Sequence, residues 1–428
     1  MLPDPPFFST KILSALNENI TTITNLELVS CDLQYTEVES LGKFIKKSKS
    51  LSLLNLSRNP LFSNDGCNVA AKQLSKAMKN HPELFFVNLT RTDLWNNSEA
   101  LELILQGSKG IKSLVIDSLG GRPFDKEGLP LVTNFLQKKN SLTELSLSNA
   151  GIGRGKKGST RAKEAPSRAR LLRDALQKNA TLEQLCLSSN DLGINNRVFS
   201  TVMSGIKGSE SLLHVDLSCN SIRLMPSIKL IAKYLARNPA LVALNLNDNG
   251  IPVKSANLLM KALLKNSTLQ QLYLSGNNLN DRNVPAITEV LQSNTSLRLL
   301  DLQYNNFKMN KGRKDLLKLL CDTTSLDSIV NSNHSCSLVV KGSNFGRAHE
   351  NELRNINRLE NEGEKIRYKV VLALCVLNRD LYDPRSFDDV PLEIMHKVLE
   401  LVQQEIGCNG YGKGIVKSVK KRNTINRC

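Results

Sequence analysis

Apolar residues recur along this chain at a fixed spacing, and a polar residue returns at one fixed place among them. The unit is Leu-x-x-Leu-x-Leu-x-x-Asn-x-Leu, with other apolar residues in place of some leucines. Self-similarity with a period of about 20 to 50 residues is the signature of a repeat architecture. The clearest three copies begin at Leu241, Leu269 and Leu297, and their ninth residues are Asn249, Asn277 and Asn305.

The same frame continues upstream and gives seven more repeats. Their first residues are Ile23, Leu51, Leu84, Ile111, Leu142, Leu182 and Leu212. Successive repeats start 27 to 40 residues apart, which leaves room for a strand, a loop and a helix in each. An eleventh, degenerate repeat is predicted from Leu326, because Ile329 fits the frame while polar Asn331 stands where an apolar residue should point inward.

Each repeat predicts a strand followed by a helix. The alternating Leu-x-Leu places two leucines on the buried face of a short strand, and helical apolar spacing follows, as in Leu259 and Leu263. Asn266 and Asn294 come three residues after the last apolar helix position, where a left-handed residue commonly ends a helix. The ninth-position asparagines are expected to bond to backbone groups and form a buried polar ladder.

This motif resembles the leucine-rich-repeat superfamily, specifically its ribonuclease-inhibitor-like branch, over about residues 20–345. The resemblance implies an α/β fold: a right-handed horseshoe solenoid with a concave parallel β-sheet, convex helices and a helical cap at its carboxy-terminal end. Members of the superfamily include enzyme inhibitors, activators of small GTPases, immune sensors and adaptors. The resemblance therefore specifies the fold far better than the function.

The pattern divides the chain into four parts. We expect an amino-terminal cap at 1–19, a solenoid of about 11 repeats at 20–345, a helical cap at 346–407 and a basic flexible tail at 408–428. The sequence Asn333 to Cys336, together with a helix beginning near Val390, is similar to the ending of leucine-rich-repeat proteins from protists such as diatoms.

Composition favours a protein inside the cell. The nine cysteines have no spacing typical of a disulfide framework or a zinc site. The first ten residues lack the basic start and apolar core of a secretory signal, and the longest apolar run, 370–377, is far shorter than the roughly 20 residues of a membrane helix. We expect a cytoplasmic monomer without a membrane span. A nuclear location remains an alternative, because the basic cluster Lys420, Lys421 and Arg422 resembles a short nuclear localisation signal.

The net charge of +17 is concentrated in two segments. An insertion at 154–170, interpreted as a flexible loop over Gly151 to Ser167, includes Arg154, Lys156, Lys157, Arg161 and Lys163. The tail from Lys413 adds six basic residues and no acidic one. Such segments suit nucleic acid or phosphoinositides.

The strand positions that point away from the helices have the opposite balance. Among them are eight acidic residues, Glu27, Asp117, Glu144, Glu183, Asp216, Asp248, Asp301 and Asp327, and four basic ones, Arg58, Arg91, Lys112 and Arg298. A mildly acidic surface disfavours nucleic acid there and suits a basic or mixed-charge protein. Phe85, Phe86, Tyr273 and Tyr304 are the aromatic candidates for anchoring a partner.

The predicted function is therefore that of an interaction scaffold or regulator that binds a protein on the concave face, with no cofactor. Catalysis is not predicted, because none of the five histidines lies in a nucleophile, metal or phosphate motif. Two alternatives remain: activation of a small GTPase, as in Ran GTPase-activating proteins of this fold, and nucleic-acid or phosphoinositide binding through the basic segments. The Ran GTPase-activating proteins typically carry an acidic tail, whereas this tail is basic.

Overall fold

The structure, a computed structural model, falls into two compact units, Met1–Leu259 and Met260–Cys428. The predicted amino-terminal cap at 1–19 and the basic tail at 408–428 lie outside the described residues, as does Asp327. The structure describes 22–63, 66–79, 81–118, 127–138, 140–154, 160–237, 239–308, 312–321, 332–333, 335–340, 356–361, 364–366 and 368–369.

Eight short parallel strands lie side by side, in chain order, in the described part of the first unit. They are β1 (Asn25–Glu27), β2 (Leu53–Asn55), β3 (Phe86–Asn88), β4 (Ser113–Val115), β5 (Glu144–Ser146), β6 (Gln184–Cys186), β7 (His214–Asp216) and β8 (Ala243–Asn245). Leu26 lies opposite Leu54, and Leu54 opposite Val87. The fourth residue of one repeat is thus in register with the fourth of the next, which confirms the frame derived from the sequence.

A helix follows each described strand of this unit. The helices are α1 (Val38–Lys47), α2 (Cys67–Met78), α3 (Ser98–Gly107), α4 (Gly128–Gln137), α5 (Thr160–Lys178), α6 (Asn196–Gly208), α7 (Met225–Leu235) and α8 (Val253–Leu263), the last of which contains the boundary between the units. Their apolar stripes pack against the leucines of the strands; Leu101 and Ile104 of α3, for example, are buried together with Leu89 and Leu114. The core therefore lies between the sheet and the helices.

The ninth-position asparagines form the predicted ladder. In the first unit, the Nδ2 group of Asn220 donates to the carbonyl oxygen of Leu187 at 2.8 Å, and its Oδ1 accepts from the backbone N–H groups of Asn190 and Leu192. Asn220 is fully buried. One side chain thus satisfies backbone groups of the preceding repeat, where no strand continues to pair them.

In the second unit, the described strands are β9 (Gln271–Tyr273), β10 (Leu299–Asp301) and β11 (Ser337–Val339), and the described helices are α9 (Val284–Ser293) and α10 (Gly312–Leu320). The strands are parallel and adjacent in chain order. Leu338 pairs with Leu300. The prediction of an eleventh repeat from Leu326 is therefore wrong in its position: the strand next to β10 lies later in the chain.

The prediction of left-handed helix ends is wrong at Asn266 and Asn294. Neither has a positive φ, and the value for Asn294 is −87°. The side chains instead act on the next strand: Oδ1 of Asn294 accepts from the N–H of Leu297 at 2.9 Å, while its Nδ2 donates to the carbonyl oxygen of Leu263 at 2.7 Å. Because this second bond reaches the preceding repeat, the asparagine joins repeats as well as ending a helix.

The predicted helical cap at 346–407 lies largely outside the described residues. Its described stretches include a helical turn that begins at Ile356, which is buried. Lys369 is also buried, and its Nζ donates to the carbonyl oxygen of Asn333 at 2.6 Å. Asn357 donates to the carbonyl oxygen of Cys336 at 2.6 Å. These contacts tie the segment to residues beside β11.

Candidate functional site

The first unit has a sheet face that no described helix covers. We call it the open face, made of the second, third, fifth, seventh and eighth residues of each repeat. The fourth and sixth residues, such as Leu54 and Leu56, point into the core and are fully buried. Because strand residues alternate between the two sides, the third and fifth residues must point the other way. Strand position therefore decides on which side of the sheet a side chain lies.

The eighth residue of most described repeats has a left-handed backbone. In the first unit these residues are Ser30, Arg58, Arg91, Asn149, Ser189, Cys219 and Asp248, with φ between 54° and 60°. The chain turns here, after each strand, toward the loop that holds the ninth-position asparagine. Left-handed geometry favours glycine, asparagine and aspartate. A long side chain at this position is thus unusual, and both Arg58 and Arg91 are exposed.

Phe85 and Phe86 lie where β3 begins. The side chain of Phe85 is 46% exposed, whereas Phe86 is half-buried between its neighbours. The backbone of Phe85 is fixed on both sides, since its N–H donates to the carbonyl oxygen of Ser52 and its own carbonyl accepts from Lys112 and Ser113. Phe85 is therefore an exposed apolar side chain on a rigid backbone, while Phe86 contributes more to packing.

The acidic side chains of the open face differ in how far they reach solvent. Glu183 and Asp248 are exposed, and Asp216 is half-buried. One oxygen of Asp216 accepts from the N–H of Ser218 at 2.7 Å. Glu144 accepts from Nε2 of Gln184 at 2.7 Å. Glu27, Glu183 and Asp248 are therefore the most accessible of these carboxylates, while Asp216 and Glu144 are held by their neighbours.

Asp117 is half-buried and bonded to two serines. Its Oδ1 accepts from the hydroxyl of Ser146 at 2.6 Å and from the N–H of Ser148 at 2.7 Å. Burial outweighs these bonds and raises the pKa of the Asp117 carboxyl. The hydroxyl of Ser148 lies 3.2 Å from the sulfur of Cys186. These serines and Cys186 were missed in the sequence analysis, which weighed charged and aromatic residues alone.

Cys219 is a second open-face thiol that the sequence analysis did not select. It is exposed and left-handed at the eighth position of its repeat. Partial burial, and then the charge of Asp248, raise the pKa of its thiol. The repeat pattern could have identified Cys219, since it is the eighth residue of its repeat, as Arg58 and Asp248 are of theirs.

In the second unit, Tyr304 is the most exposed of the predicted residues, at 62%, and is left-handed at its eighth position. Tyr273 is half-buried, and its hydroxyl donates to Oε1 of Gln271 at 2.9 Å. Burial, and then the nearby charge of Asp301, raise the pKa of Tyr273. Arg298 is exposed and Asp301 half-buried. The predicted exposure is confirmed for Tyr304 and only partial for Tyr273.

Comparison with known sequences agrees with this geometry at one repeat. Residues 265–282 match the family model described as Leucine Rich repeat, and they include β9 and the asparagine turn after it. This stretch is a leucine-rich repeat, and the same frame of strand and helix recurs in the other described repeats. No curated protein matches the sequence significantly.

Three solved structures are similar to much of this chain. The leucine-rich repeat-containing protein LegL7 from Legionella pneumophila is 18% identical, over 72% of this chain and 91% of that one, with a TM-score of 0.47. An internalin (inlF) from Listeria monocytogenes is 13% identical, over 78% and 90%, with a TM-score of 0.37. A chain of the yeast Rad7 and Elc1 complex is 13% identical, over 70% and 84%, with a TM-score of 0.36. Identities this low do not transfer function.

The insertion in the fifth leucine-rich repeat is only partly a loop. From Thr160 onward it is the first part of α5, so the prediction of a flexible loop as far as Ser167 is wrong there. Ala165, Ala169 and Leu172 are buried on one side of this helix. Packing of these apolar side chains therefore stabilises a helix in a segment whose many charges and Pro166 had indicated a loop.

Two arginines of the insertion are engaged within the chain. Nε of Arg154 lies 3.1 Å from a carboxylate oxygen of Asp191. Arg168 donates to the carbonyl oxygens of Ile152 and Arg154 and lies 3.4 Å from Glu164. Lys163 is exposed. The predicted basic residues Lys156, Lys157, Lys420, Lys421 and Arg422, and the side chain of Arg161, lie outside the described residues.

The described residues contain no group of three or more His, Cys, Asp or Glu side chains that could hold a metal ion. Of the histidines, His81 is structural: its Nε2 lies 2.7 Å from the carbonyl oxygen of Ser48, and its Nδ1 accepts from the N–H of Leu84. In the part of the chain that is described, no helix is long and apolar enough to cross a membrane.

Proposed function

We propose that the chain is an interaction protein whose open face, in the first unit, binds a protein partner. The observation that carries the proposal is the coincidence, on one rigid and uncovered sheet, of an exposed aromatic side chain and exposed charges. Phe85 is 46% exposed in the third repeat, and Arg58, Arg91, Glu183 and Asp248 are exposed in other repeats or positions of the same face. Exposed aromatic and arginine side chains are the groups that most often dominate the binding energy of protein interfaces.

The backbone under these side chains supports the same function. Each strand is hydrogen-bonded to its neighbours, and the ninth-position asparagines fix the turn that follows. A partner therefore meets side chains whose main-chain positions are already set, which lowers the entropy lost on binding. The second unit offers a separate exposed aromatic, Tyr304, which we propose as an additional contact.

The test is quantitative affinity purification from the native cell. A triple variant, Phe85→Ala with Glu183→Gln and Asp248→Asn, removes one aromatic group and two charges at exposed positions, and asparagine tolerates the left-handed backbone of Asp248. The matched control, Val69→Ala with Lys72→Ala and Lys76→Ala, changes exposed residues of α2 on the helix side.

We expect at least one protein to be lost with the open-face variant and retained with the control. If the open-face variant retains every protein that the wild type captures, the proposal is wrong. The captured protein also decides between the narrower alternatives. If it is a small GTPase, stimulation of GTP hydrolysis by the wild type, and not by the open-face variant, would make the chain a GTPase activator.

A further inference from the structure

The charges of the open face are sorted by repeat. Within the first unit, the second to fourth repeats carry Arg58, Arg91 and Lys112, all exposed. The fifth to eighth repeats carry Glu144, Glu183, Asp216 and Asp248, and none of their open-face positions has a lysine or arginine. Asp117, the one acid of these three repeats, is half-buried and bonded to two serines. Glu27 of the first repeat is exposed and accepts from Nδ2 of Asn55. The second to fourth repeats, which we call the basic end, therefore carry a net positive charge, and the fifth to eighth repeats, the acidic end, a net negative charge.

Arg58 and Arg91 are the strongest feature of the basic end. They occupy the same eighth position in adjacent repeats, and the N–H of Arg58 donates to the carbonyl oxygen of Thr90 at 2.8 Å. Neighbouring strands lie about 4.8 Å apart, so the two guanidinium groups start from neighbouring points on the same edge. Neither arginine lies within 4.0 Å of a carboxylate of the described residues. Two positive charges thus stand together without an acidic partner.

The backbone makes this pair harder to explain by packing alone. Both arginines are left-handed, with φ of 60° and 57°. The fold imposes this geometry at the eighth position, where Asn149 and Asp248 are types that tolerate it well and Ser30, Ser189 and Cys219 are short side chains that do so less well. An arginine there has a strained backbone and a neighbour of like charge. Its guanidinium group makes no hydrogen bond to the described residues that would offset either cost. An external carboxylate would offset the like-charge repulsion, because guanidinium groups bind carboxylates in a paired, planar geometry.

From this arrangement we infer that the partner segment is bipolar: an acidic stretch is bound by Arg58 and Arg91, and a basic stretch lies over Glu183, Asp216 and Asp248. The inference rests on the proposed function and adds the chemistry and direction of the partner, which crosses the strands from the second repeat toward the eighth. The facing edges of the two charged groups are Arg91, beside the third strand, and Glu183, beside the sixth, so three strand spacings, or roughly 14 Å, separate them. A segment of about six residues is long enough to span this distance.

The probe is a pair of labelled synthetic peptides, measured by fluorescence anisotropy with the full chain. The mixed peptide has a block of glutamates, a glycine–serine linker of about six residues and a block of arginines. The all-basic peptide has arginines in both blocks. The decisive variant is Arg58→Glu with Arg91→Glu, and the matched control, Lys72→Glu with Lys76→Glu, makes the same charge change in the helix of the second repeat.

We expect the wild type to bind the mixed peptide about tenfold more tightly than the all-basic peptide. Two charge-assisted hydrogen bonds from Arg58 and Arg91 to the glutamates are strong enough to give this ratio. Arg58→Glu with Arg91→Glu should reverse this preference, and the lysine control should keep it. The reversal cannot come from the basic tail, because a basic segment does not attract a basic peptide.

An unchanged preference in the arginine variant, or the same reversal in the lysine control, would overturn the inference. The proposed function is judged separately by the native partner. If that partner is still lost with the Phe85, Glu183 and Asp248 variant while the peptide preference is unchanged, the bipolar assignment alone is wrong.

Discussion

The side-chain oxygen of Asn249 accepts a hydrogen bond from the backbone N–H of Asn220, 2.9 Å away in the preceding repeat. Asn220 bonds in the same way to Asn190, at 2.9 Å. Each asparagine thus holds the turn before it, and the turns carry the exposed eighth-position residues. The polar ladder therefore supports the open face as well as the fold.

We predict that Asn220→Ala destabilises the protein by about 2–4 kcal/mol, because it leaves several buried backbone groups without partners. The N–H groups of Asn190 and Leu192 and the carbonyl oxygen of Leu187 all lose a bond. Urea unfolding measures the change. Asn25→Ala, at an exposed strand position, is the control, and equal effects of the two substitutions would contradict the role of the ladder.

Gly193 is predicted to be intolerant of a side chain. A methyl group there would collide with the carbonyl oxygen of Ser221 and lie 2.6 Å from the Cα atom of Ile222. Gly193→Ala should therefore destabilise by about 1–3 kcal/mol. Gly110→Ala is the matched control, because nothing lies within 4 Å of the added methyl group. If thermal unfolding finds the two variants equally stable, Gly193 does not lie as close to Ser221 and Ile222 of the next repeat as the structure has it.

Lys369 makes the stability depend on pH. Burial lowers its pKa to about 7 from an ordinary value of 10.5, so between these values the unfolded chain binds one more proton. The free energy of unfolding should then rise with pH over this window, by up to about 1.4 kcal/mol per pH unit from this group. Below about pH 7 both states hold the proton and the contribution stops changing.

Lys369→Met should flatten this slope, and chemical denaturation between about pH 7 and 10 measures it. Lys308→Met, at an exposed position of the second unit, should leave the slope as it is. A wild-type slope that persists in Lys369→Met would show that the amine is solvated in the folded state.

The cysteines should differ in reactivity. Cys219 is exposed, whereas Cys336 is buried, and burial raises the pKa of its thiol to about 12. Iodoacetamide at about pH 8 should modify Cys219 in the folded protein and reach Cys336 only after unfolding, since the thiolate is the nucleophile. Peptide mass spectrometry gives the order. Modification of Cys336 first in native buffer would contradict the packing around β11.

The sequence predicted the strands well because each is marked by leucines at fixed positions. It failed at β11, where Ser335 stands in the first position and no asparagine stands in the ninth. It also failed in α5, where Pro166 and six basic residues concealed a helix held by buried Ala165 and Ala169. In both places, contacts with neighbouring repeats replace the local pattern.

The candidate site was predicted unevenly for a related reason. Strand positions indicated which side chains point outward, and Phe85, Glu183 and Asp248 are exposed as expected. The frame does not describe backbone twist, so the left-handed geometry of Arg58 and Arg91 could be seen only in the structure. That geometry places the two arginines at one edge.

Hydroxyl-radical footprinting of the chain, free and bound to its captured partner, shows whether the open face is the surface that the partner covers. Phe85 on the open face, and Val69 and Leu171 on α2 and α5, are all exposed in the free chain. We predict that the partner protects Phe85 from oxidation and leaves Val69 and Leu171 as reactive as before. If Val69 or Leu171 is protected and Phe85 is not, the partner binds the helices and the proposal that it binds the open face is wrong.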